Sequence, residues 1–383
     1  MNKVLIQGAG ITGLTLAGLL EQGNVPYRII EKTPVLENIG AGLLLQQNAI
    51  LILESLGVLK SFWGQNSRIM ELNLGTKKTP KLGHISFPEE HPVIGVHRSV
   101  LQKALLSAVP TNKITFGRTI ESISDSGSGY QVKTNDGITE DYDIVVGADG
   151  ARSWIRKSLG IDQHLRNSNQ WCWRTVVDGQ PEPGAGYEIY HGRYRLGILP
   201  LGSNQSYIYW VESNCSEEQA KATTTEQLVN KISTVGALGT WVAKKLSPGS
   251  QWSLHPLADI KVQWGRENTV LIGDAAHALT PNLGQGAALG MEDAMILADF
   301  IMSGETDLAG RLKELRNLRV EKIRRMSFVA GRIAHLESWW MQALRNGMVR
   351  ITPQNVALKQ QIKTIQPFLN WHRTSRFHEP VSA

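Results

Sequence analysis

Three clusters of small and acidic residues carry most of the chemical content of this sequence. The first is Gly8-Ala9-Gly10-Ile11-Thr12-Gly13, directly after the apolar run Val4-Leu5-Ile6. In a strand, turn and helix of this kind, Gly8 permits the tight turn, Gly10 lets a pyrophosphate approach the backbone, and Gly13 lets helix and strand pack closely. The helix N-terminus then offers unpaired N–H groups and positive partial charge to phosphate. Glu31 ends the next strand about twenty residues later, the place of a carboxylate that bonds a ribose 2′-hydroxyl. An acid there disfavours a 2′-phosphate, so the tightly held nucleotide is FAD or NAD rather than NADP.

The second cluster is Asp143-Ile144-Val145-Val146-Gly147-Ala148-Asp149-Gly150, followed by Arg152, Ser153 and Arg156. An apolar strand ending in such a turn lets the backbone come close to a ligand, with Asp149 at the strand's carboxyl end. The third runs Gly273-Asp274-Ala275-Ala276-His277, then Pro281-Asn282-Leu283-Gly284-Gln285-Gly286-Ala287-Ala288, then Met291-Glu292-Asp293-Ala294. Asp274 can accept hydrogen bonds from a ribityl chain, and Gly284 and Gly286 clear room for a flat ring above the next helix.

The elements that must position these residues follow from hydrophobic periodicity. Lys3 to Gln7 reads as strand, Gly13 to Gln22 as helix, Tyr27 to Glu31 as strand and Ala49 to Leu56 as helix. That is βαβ order, which predicts a parallel sheet. From Trp171 to Ser213 the pattern becomes alternation: Tyr187 to His191, Tyr194 to Leu199 and Ser206 to Glu212, separated by Gly192 and by Gly202-Ser203-Asn204. An antiparallel meander is expected there. After Val270-Leu271-Ile272-Gly273 strand, turn and helix return, and beyond Glu292 the chain reads as helical, punctuated at Pro353 and Pro367. The expected fold class is α/β: a Rossmann-type FAD-binding domain interleaved with an antiparallel-sheet substrate domain, plus C-terminal helices. The expected division gives residues 1–70, 96–165 and 263–330 to the cofactor domain, 71–95 and 166–262 to the substrate domain, and 331–383 to a C-terminal helical segment.

The three motifs, in this order over nearly the whole chain, resemble those of the class A, single-component flavin monooxygenases typified by para-hydroxybenzoate hydroxylase. Arg98, in His97-Arg98-Ser99-Val100-Leu101, stands where that family places an arginine contacting the flavin nucleotide, with Gln102 one helical turn on. Gly40 to Ala49 resembles the family's second glycine segment, with Gln47 where a proline is common. The resemblance implies an FAD site made of Gly8, Gly10, Thr12, Gly13, Glu31, Lys32, Gly42, Leu44, Arg98, Gln102, Ile120, Asp149, Asp274, Pro281, Gly284, Gln285, Gly286, Ala287 and Ala288. It implies NADH or NADPH as a transient reductant, O₂ as co-substrate, and hydroxylation of an aromatic or heteroaromatic small molecule through a flavin C4a-hydroperoxide. The helix starting near Gly286 would direct its positive end toward the pyrimidine side of the flavin. Other readings compatible with the same motifs are a flavin oxidoreductase that inserts no oxygen, a tetracycline-type antibiotic-inactivating monooxygenase, and a non-catalytic protein on the FAD fold.

Substrate activation falls to the meander. Arg195 and Tyr207 lie symmetrically about Leu201, so a regular hairpin with an odd-length loop would make them cross-strand neighbours. Their spacing around Pro200 resembles the urate-hydroxylating branch of the family. That resemblance implies that Arg195 stabilises charge on an enolate or phenolate and Tyr207 hydrogen-bonds the ring. The stretch Leu336 to Arg350, together with Cys172-Trp173-Arg174, His191-Gly192 and Thr280 to Gly286, resembles the alkylquinolone-hydroxylating branch, which implies a greasy bicyclic heteroaromatic substrate. His191 and His255 are weaker base candidates, and His277 reads as a loop-fixing residue. Trp171, Trp173, Trp210 and Tyr209 divide between pocket wall and core.

Composition limits the alternatives. With 383 residues, 42% hydrophobic and 19% charged, the chain has length and apolar content for two domains around a buried cofactor. The two cysteines, Cys172 and Cys215, lack metal-ligand spacing, read as packing residues and fit a reducing cytoplasm, so no metal site is expected. The net charge of +6 comes without an aromatic-interleaved basic stripe, so no nucleic-acid partner is expected; the densest basic stretch, Arg311 to Arg325, reads as a solvated helix face. No secretion signal or spanning segment is visible, giving a cytoplasmic expectation. The basic, amphipathic stretch Leu336 to Arg350 suits core packing, a subunit contact or shallow, peripheral membrane attachment; a monomer or homodimer is expected.

Overall fold

The computed structural model describes residues 2–35, 42–60, 65–127, 129–161 and 164–378. Gly40 and Ala41 of the second glycine segment lie outside them. A six-stranded sheet, ordered β18-β19-β12-β1-β2-β8, forms one half of the molecule: β1 (Val4–Gln7), β2 (Tyr27–Glu31), β8 (Ile114–Phe116), β12 (Ile144–Gly147), β18 (Gly265–Arg266) and β19 (Thr269–Leu271). All its pairs are parallel except β18 with β19. Every residue of β1 and β12 is buried, as a parallel sheet covered on both faces requires. Helices α1 (Ile11–Gln22), α2 (Gln47–Ser55), α3 (Arg98–Leu106), α4 (Trp154–Ser158), α9 (Gly286–Met302) and α10 (Leu308–Ala334) belong to this half.

The opposing half is a seven-stranded sheet ordered β17-β13-β16-β15-β14-β5-β6. Its strands are β5 (Glu71–Thr76), β6 (Gly83–Ser86), β13 (Leu165–Asp178), β14 (Ala185–His191), β15 (Tyr194–Leu201), β16 (Gln205–Ser213) and β17 (Ser253–Ile260). The expected meander is therefore present. Its outer face packs Trp171, Trp173 and Trp210 into a second core with helices α5 (Glu217–Ala222), α6 (Thr225–Ser233) and α7 (Gly236–Lys245). These three tryptophans are core, not pocket wall. Between the two large sheets lies a small one, β3 (Gly42–Leu45), β7 (Val93–His97) and β4 (Asn66–Ile69), in the order β3-β7-β4. A further three-stranded sheet joins β9 (Ile120–Asp125), β10 (Tyr130–Thr134) and β11 (Thr139–Tyr142).

Two expectations about the C-terminal third need correction. Arg311 to Arg325 is not simply a solvated face, because Arg316 is buried and donates to both Glu292 Oε2 (2.6 Å) and Asp293 Oδ1 (2.9 Å). Arg319 adds a second clamp on Glu292, with Nη2 2.8 Å from Oε1. A helix that packs on a buried acidic pair must turn some of its cations inward, and charge spacing alone does not show which. Pro367 does not end a helix either: it lies inside α12 (Gln354–His372), while Pro353 stands at that helix's N-cap. Among the described residues no helix is long and apolar enough to cross a membrane.

Candidate active site

The glycine turn after β1 is built from contacts that admit no side chain. Gly8 has φ +111°, and a Cβ there would lie 2.4 Å from the Ala148 carbonyl oxygen; one on Gly13 would lie 2.0 Å from the Gly8 carbonyl oxygen. The Ala9 peptide between them is held on both sides. Its N–H donates to Glu31 Oε2 (2.7 Å) and its carbonyl accepts from Gln102 Nε2 (2.9 Å). Glu31 Oε1 also accepts from the backbone and hydroxyl of Thr33, each at 3.0 Å.

A cavity of about 740 Å³ opens from this turn to the inner face of the seven-stranded sheet. Of the residues expected to hold the cofactor, Gly10, Thr12, Gly42, Leu44, Arg98, Asp274, Pro281, Gly284, Gln285, Gly286 and Ala287 line it. Gly8, Gly13, Glu31 and Gln102 sit behind the wall as its supports. Lys32 is exposed past the end of β2, and Ile120 and Ala288 are buried in the main core. Asp149 also acts from behind: its Oδ2 accepts from Trp154 N (2.7 Å) and Ile155 N (3.2 Å), holding the first turn of α4, while its buried Oδ1 has no hydrogen-bond partner among the described residues.

The turns of the first and third motifs interlock. Thr12 Oγ1 lies where a Cβ on Gly273 would come within 2.5 Å and one on Gly290 within 2.3 Å. Asp293 fixes the same turn by accepting from Gly273 N (3.0 Å) and bonding the buried His277 ring, so His277 is a loop-fixing residue as its position suggested. Asp274, the first residue of α8 (Asp274–His277), lines the cavity and among the described residues makes no side-chain hydrogen bond. Crowding by protein atoms holds its carboxyl above the usual range, against the pull of His277, Arg98 and Arg174.

These residues fit a dinucleotide with a flat ring system. A Cβ on Gly10 or Gly286 would meet nothing within 4 Å, so both backbones stand open to the cavity they line. Neither α1 nor α9 has a side-chain cap on its first turn, which leaves the N–H groups there for a ligand. Gln46 Oε1 and Gln285 Nε2, on cavity-lining residues, are buried without partners among the described residues.

On the facing sheet the register sorts the inward side chains into rows. One row is Tyr190, Arg195, Val211 and Cys172; the next is Leu74, Glu188, Gly197, Tyr209 and Arg174; the third is Ile85, Leu72, Gly186, Leu199 and Tyr207. Arg195 and Tyr207 therefore share a face and both line the cavity, but they are not cross-strand neighbours. Arg195 pairs with Val211 and Tyr207 with Leu199. The loop is odd-length as expected, Gly202-Ser203-Asn204, yet it is centred on Ser203, where Ser203 and Asn204 adopt positive φ. Two residues of offset in the turn move the pairing by four.

The polar part of the face centres on Glu188. Tyr209 Oη donates to Glu188 Oε2 (2.6 Å), and Arg195 Nη1 lies 3.6 Å from Oε1. Arg195 Nη2 donates to Asn282 Oδ1 (2.6 Å), tying the sheet to the loop before α9, while its buried Nε has no acceptor among the described residues. Burial, then Glu188, raise the Tyr209 phenol well above its usual range, so it serves as a donor. Tyr207 is raised as well, by burial, and its ring packs on Gly42, where a Cβ would lie 2.5 Å from Tyr207 Cβ.

Glu188, Asn282, Arg174 and Tyr190 were not singled out from sequence as catalytic or binding residues. Arg174 lines the cavity with its Nε 3.4 Å from Cys172 Sγ. The signal was strand alternation: with Trp171 and Trp173 outward, Cys172 and Arg174 must face in. Cys172 thus lines the cavity besides packing, whereas Cys215 is buried in the outer core. His191 and His255 do not line the cavity.

The family model for an FAD binding domain matches residues 1–311. The chain is 32% identical over 362 residues to 2-heptyl-3-hydroxy-4(1H)-quinolone synthase of Pseudomonas aeruginosa, covering 91% of this chain and 94% of that protein. It is 31% identical over 350 residues to aurachin C monooxygenase/isomerase of Stigmatella aurantiaca, covering 88% and 90%. Klebsiella pneumoniae HpxO, solved with FAD and uric acid, shares the fold at 19% identity with a TM-score of 0.85, covering 96% of this chain and 97% of that one. The cradle of open glycines, the bare helix ends and this kinship agree: the chain belongs to the FAD-binding-domain family and is an FAD-dependent aromatic monooxygenase.

Proposed function

We propose that the chain hydroxylates a bicyclic heteroaromatic ring bearing an aliphatic tail, an alkylquinolone-like substrate, with NAD(P)H as reductant. The observation that carries this reading is the division of one cavity into two surfaces. Arg174, Glu188, Arg195, Tyr207 and Tyr209 project from β13 to β16, while Ile69, Leu72, Ile85, Phe87 and Val93 form an apolar annex where β5 and β6 meet β4 and β7. A polar, hydrogen-bonding end suits a ring with a carbonyl or phenolate, and the annex suits a chain that hydrogen-bonds to nothing. The quinolone and aurachin names of the two relatives support the same class.

Bound flavin, once reduced, supplies the electrons and the activated oxygen. The chain's residues do the rest. Arg195, oriented by Glu188 and Asn282, stabilises negative charge developing on the substrate oxygen. Tyr207 hydrogen-bonds the ring and sets its distance from the backbone of Gly42. On the cofactor side, Gly10, Thr12 and Arg98 would take the phosphates, Asp274 the ribityl hydroxyls, and Pro281 to Ala287 the flat ring, while Glu31, which holds the Ala9 N–H from behind the wall, would keep lone pairs for a ribose hydroxyl. The apolar annex excludes water from the reacting face. Overall, ring C–H, O₂, NAD(P)H and a proton give ring C–OH, water and NAD(P)⁺.

The test is turnover of a 2-alkyl-4-quinolone under ¹⁸O₂ by the purified, FAD-loaded protein. A product heavier by one ¹⁸O atom, formed with matching NAD(P)H consumption, is the expected result. Dehydrogenated product without label would show a flavin oxidoreductase instead, and turnover of tail-less rings at the same efficiency would remove the annex from the substrate site.

A further inference from the structure

Helix α11 (Trp339–Ile351) is turned inside out relative to an ordinary surface helix. Its buried residue is a cation: Arg345 donates to the Ala334 carbonyl (3.2 Å) and the Ile333 carbonyl (3.4 Å) at the end of α10, and its guanidinium lies 4.5 Å from the centroid of the Tyr190 ring. Those bonds satisfy α10's last carbonyls and fix the rotation of α11. At helical spacing, Trp340, Met341, Leu344, Met348 and Ile351 then fall on one stripe, which faces outward. Leu344 is 61% exposed, Met348 60% and Ile351 77%, with Trp339 at 80% beside them. Val329 and Ile333, one turn apart on the adjoining α10, are exposed as well.

The charge of the chain that carries this stripe and follows it argues what covers it. From Ser338 to His378 the sequence contains Arg345, Arg350, Lys359, Lys363, Arg373 and Arg376 and no aspartate or glutamate. Arg350, Lys359, Lys363 and Arg373 are exposed and, among the described residues, form no ion pair. A second copy of the same face would set these cations against one another. A bilayer carrying anionic lipid offers the opposite charge, an apolar layer for the aliphatic side chains, and an interface where tryptophan rings settle.

We infer that α11, with the basic surface of α12, docks this enzyme in-plane on anionic membrane surfaces. The docking goes beyond the substrate assignment and does not depend on it. Its consequence for the site is access, because Ala357, Gln360, Gln361 and Thr364 of α12 line the cavity, so an amphiphile leaving the bilayer meets the cavity's helical wall first.

The experiment is co-sedimentation of the FAD-loaded full-length protein with vesicles of phosphatidylcholine alone or with about one third phosphatidylglycerol. Binding to the anionic vesicles is expected, weakened about tenfold or more in Leu344→Gln/Met348→Gln, in line with the loss of two inserting aliphatic side chains. Raising salt to about 0.5 M, or Lys359→Gln/Lys363→Gln, is expected to weaken it as well. Both variants keep the wild-type melting temperature and flavin spectrum, since the altered side chains are exposed. Absence of binding to either vesicle, or equal binding by wild type and Leu344→Gln/Met348→Gln, overturns the inference. A vesicle-free dimer that Leu344→Gln/Met348→Gln converts to monomer would reassign the stripe to self-association.

Discussion

The phenol of Tyr209 lies over Gly197 of the neighbouring strand, so closely that a Cβ on the glycine would sit 1.8 Å from the ring's Cζ. Only a residue without a side chain lets that ring cross β15 to reach Glu188 on β14. Gly197→Ala must therefore lift Tyr209 away and free one oxygen of the carboxylate that orients Arg195. The expected cost is about 1–3 kcal/mol in stability from the forced shift, with a rise in KM and a lower yield of hydroxylated product per NAD(P)H. Thermal melting and coupled peroxide measurement check it; wild-type coupling with a displaced melting curve would mean that Tyr209 serves the fold alone.

Arg195 is held by an acid and an amide but keeps one buried N–H without an acceptor among the described residues. Arg195→Ala is expected to retain FAD, lower hydroxylation by about 10²–10³-fold, and divert reducing equivalents to hydrogen peroxide. Arg195→Lys is not expected to rescue, since one ammonium cannot span Glu188 and Asn282 as a planar fork does. Product yield and peroxide, measured at matched flavin content, decide the case. Rescue by lysine would show that charge, not geometry, is what the site requires.

Gly10 and Gly13 separate binding from folding. Gly10 opens on the cavity, where a Cβ would meet no protein atom within 4 Å, and has an extended backbone, so Gly10→Val is expected to leave circular dichroism unchanged while weakening FAD binding about tenfold to a hundredfold. A Cβ on Gly13 has the Gly8 carbonyl oxygen 2.0 Å away, so Gly13→Ala is expected to yield misfolded protein. A yellow, fully loaded Gly10→Val variant would move the phosphate site elsewhere.

Most of this architecture is legible in the sequence because periodicity and glycine spacing are local. Val4 to Gln7, the turn after it, Tyr27 to Glu31 and the three meander strands emerge where alternation and turn residues place them. What was not legible depends on register and on distant partners. Symmetry about Leu201 sets Arg195 and Tyr207 side by side, whereas the turn with positive φ at Ser203 and Asn204 centres the hairpin on Ser203. Arg316 reads as a surface cation because nothing near it in the chain announces Glu292 and Asp293 one helix away. Gln102 and Asp149, assigned by resemblance to the cofactor, also hold the Ala9 carbonyl and the start of α4, supports that no local pattern announces. Glu188 carries no motif; only the pairing of β14 with β15 and β5 puts it at the centre of the face.

The buried cluster of Glu292, Asp293, Arg316, Arg319 and His277 is expected to lend the fold acid-sensitive stability. Burial by itself would raise both carboxyls. For Glu292, Arg319 and Arg316 outweigh it, and for Asp293, His277 and Arg316 do, so both lie below the ordinary carboxylate range. Below about pH 4 the unfolded chain binds protons that the folded one excludes. The cluster's contribution is thus complete above the unfolded value and disappears as pH falls through the depressed folded one. Arg316→Met removes the shared partner and leaves two buried acids undercompensated, which is expected to cost about 3–5 kcal/mol. It also raises the folded values, so the acid limb of a melting-temperature profile between about pH 3 and pH 7 shifts to higher pH. Because Asp293 holds Gly273 N, the same variant is expected to release flavin more readily than wild type at equal folded fraction. Parallel profiles offset by a constant would show that Arg316 contributes packing without setting the protonation of its two acids.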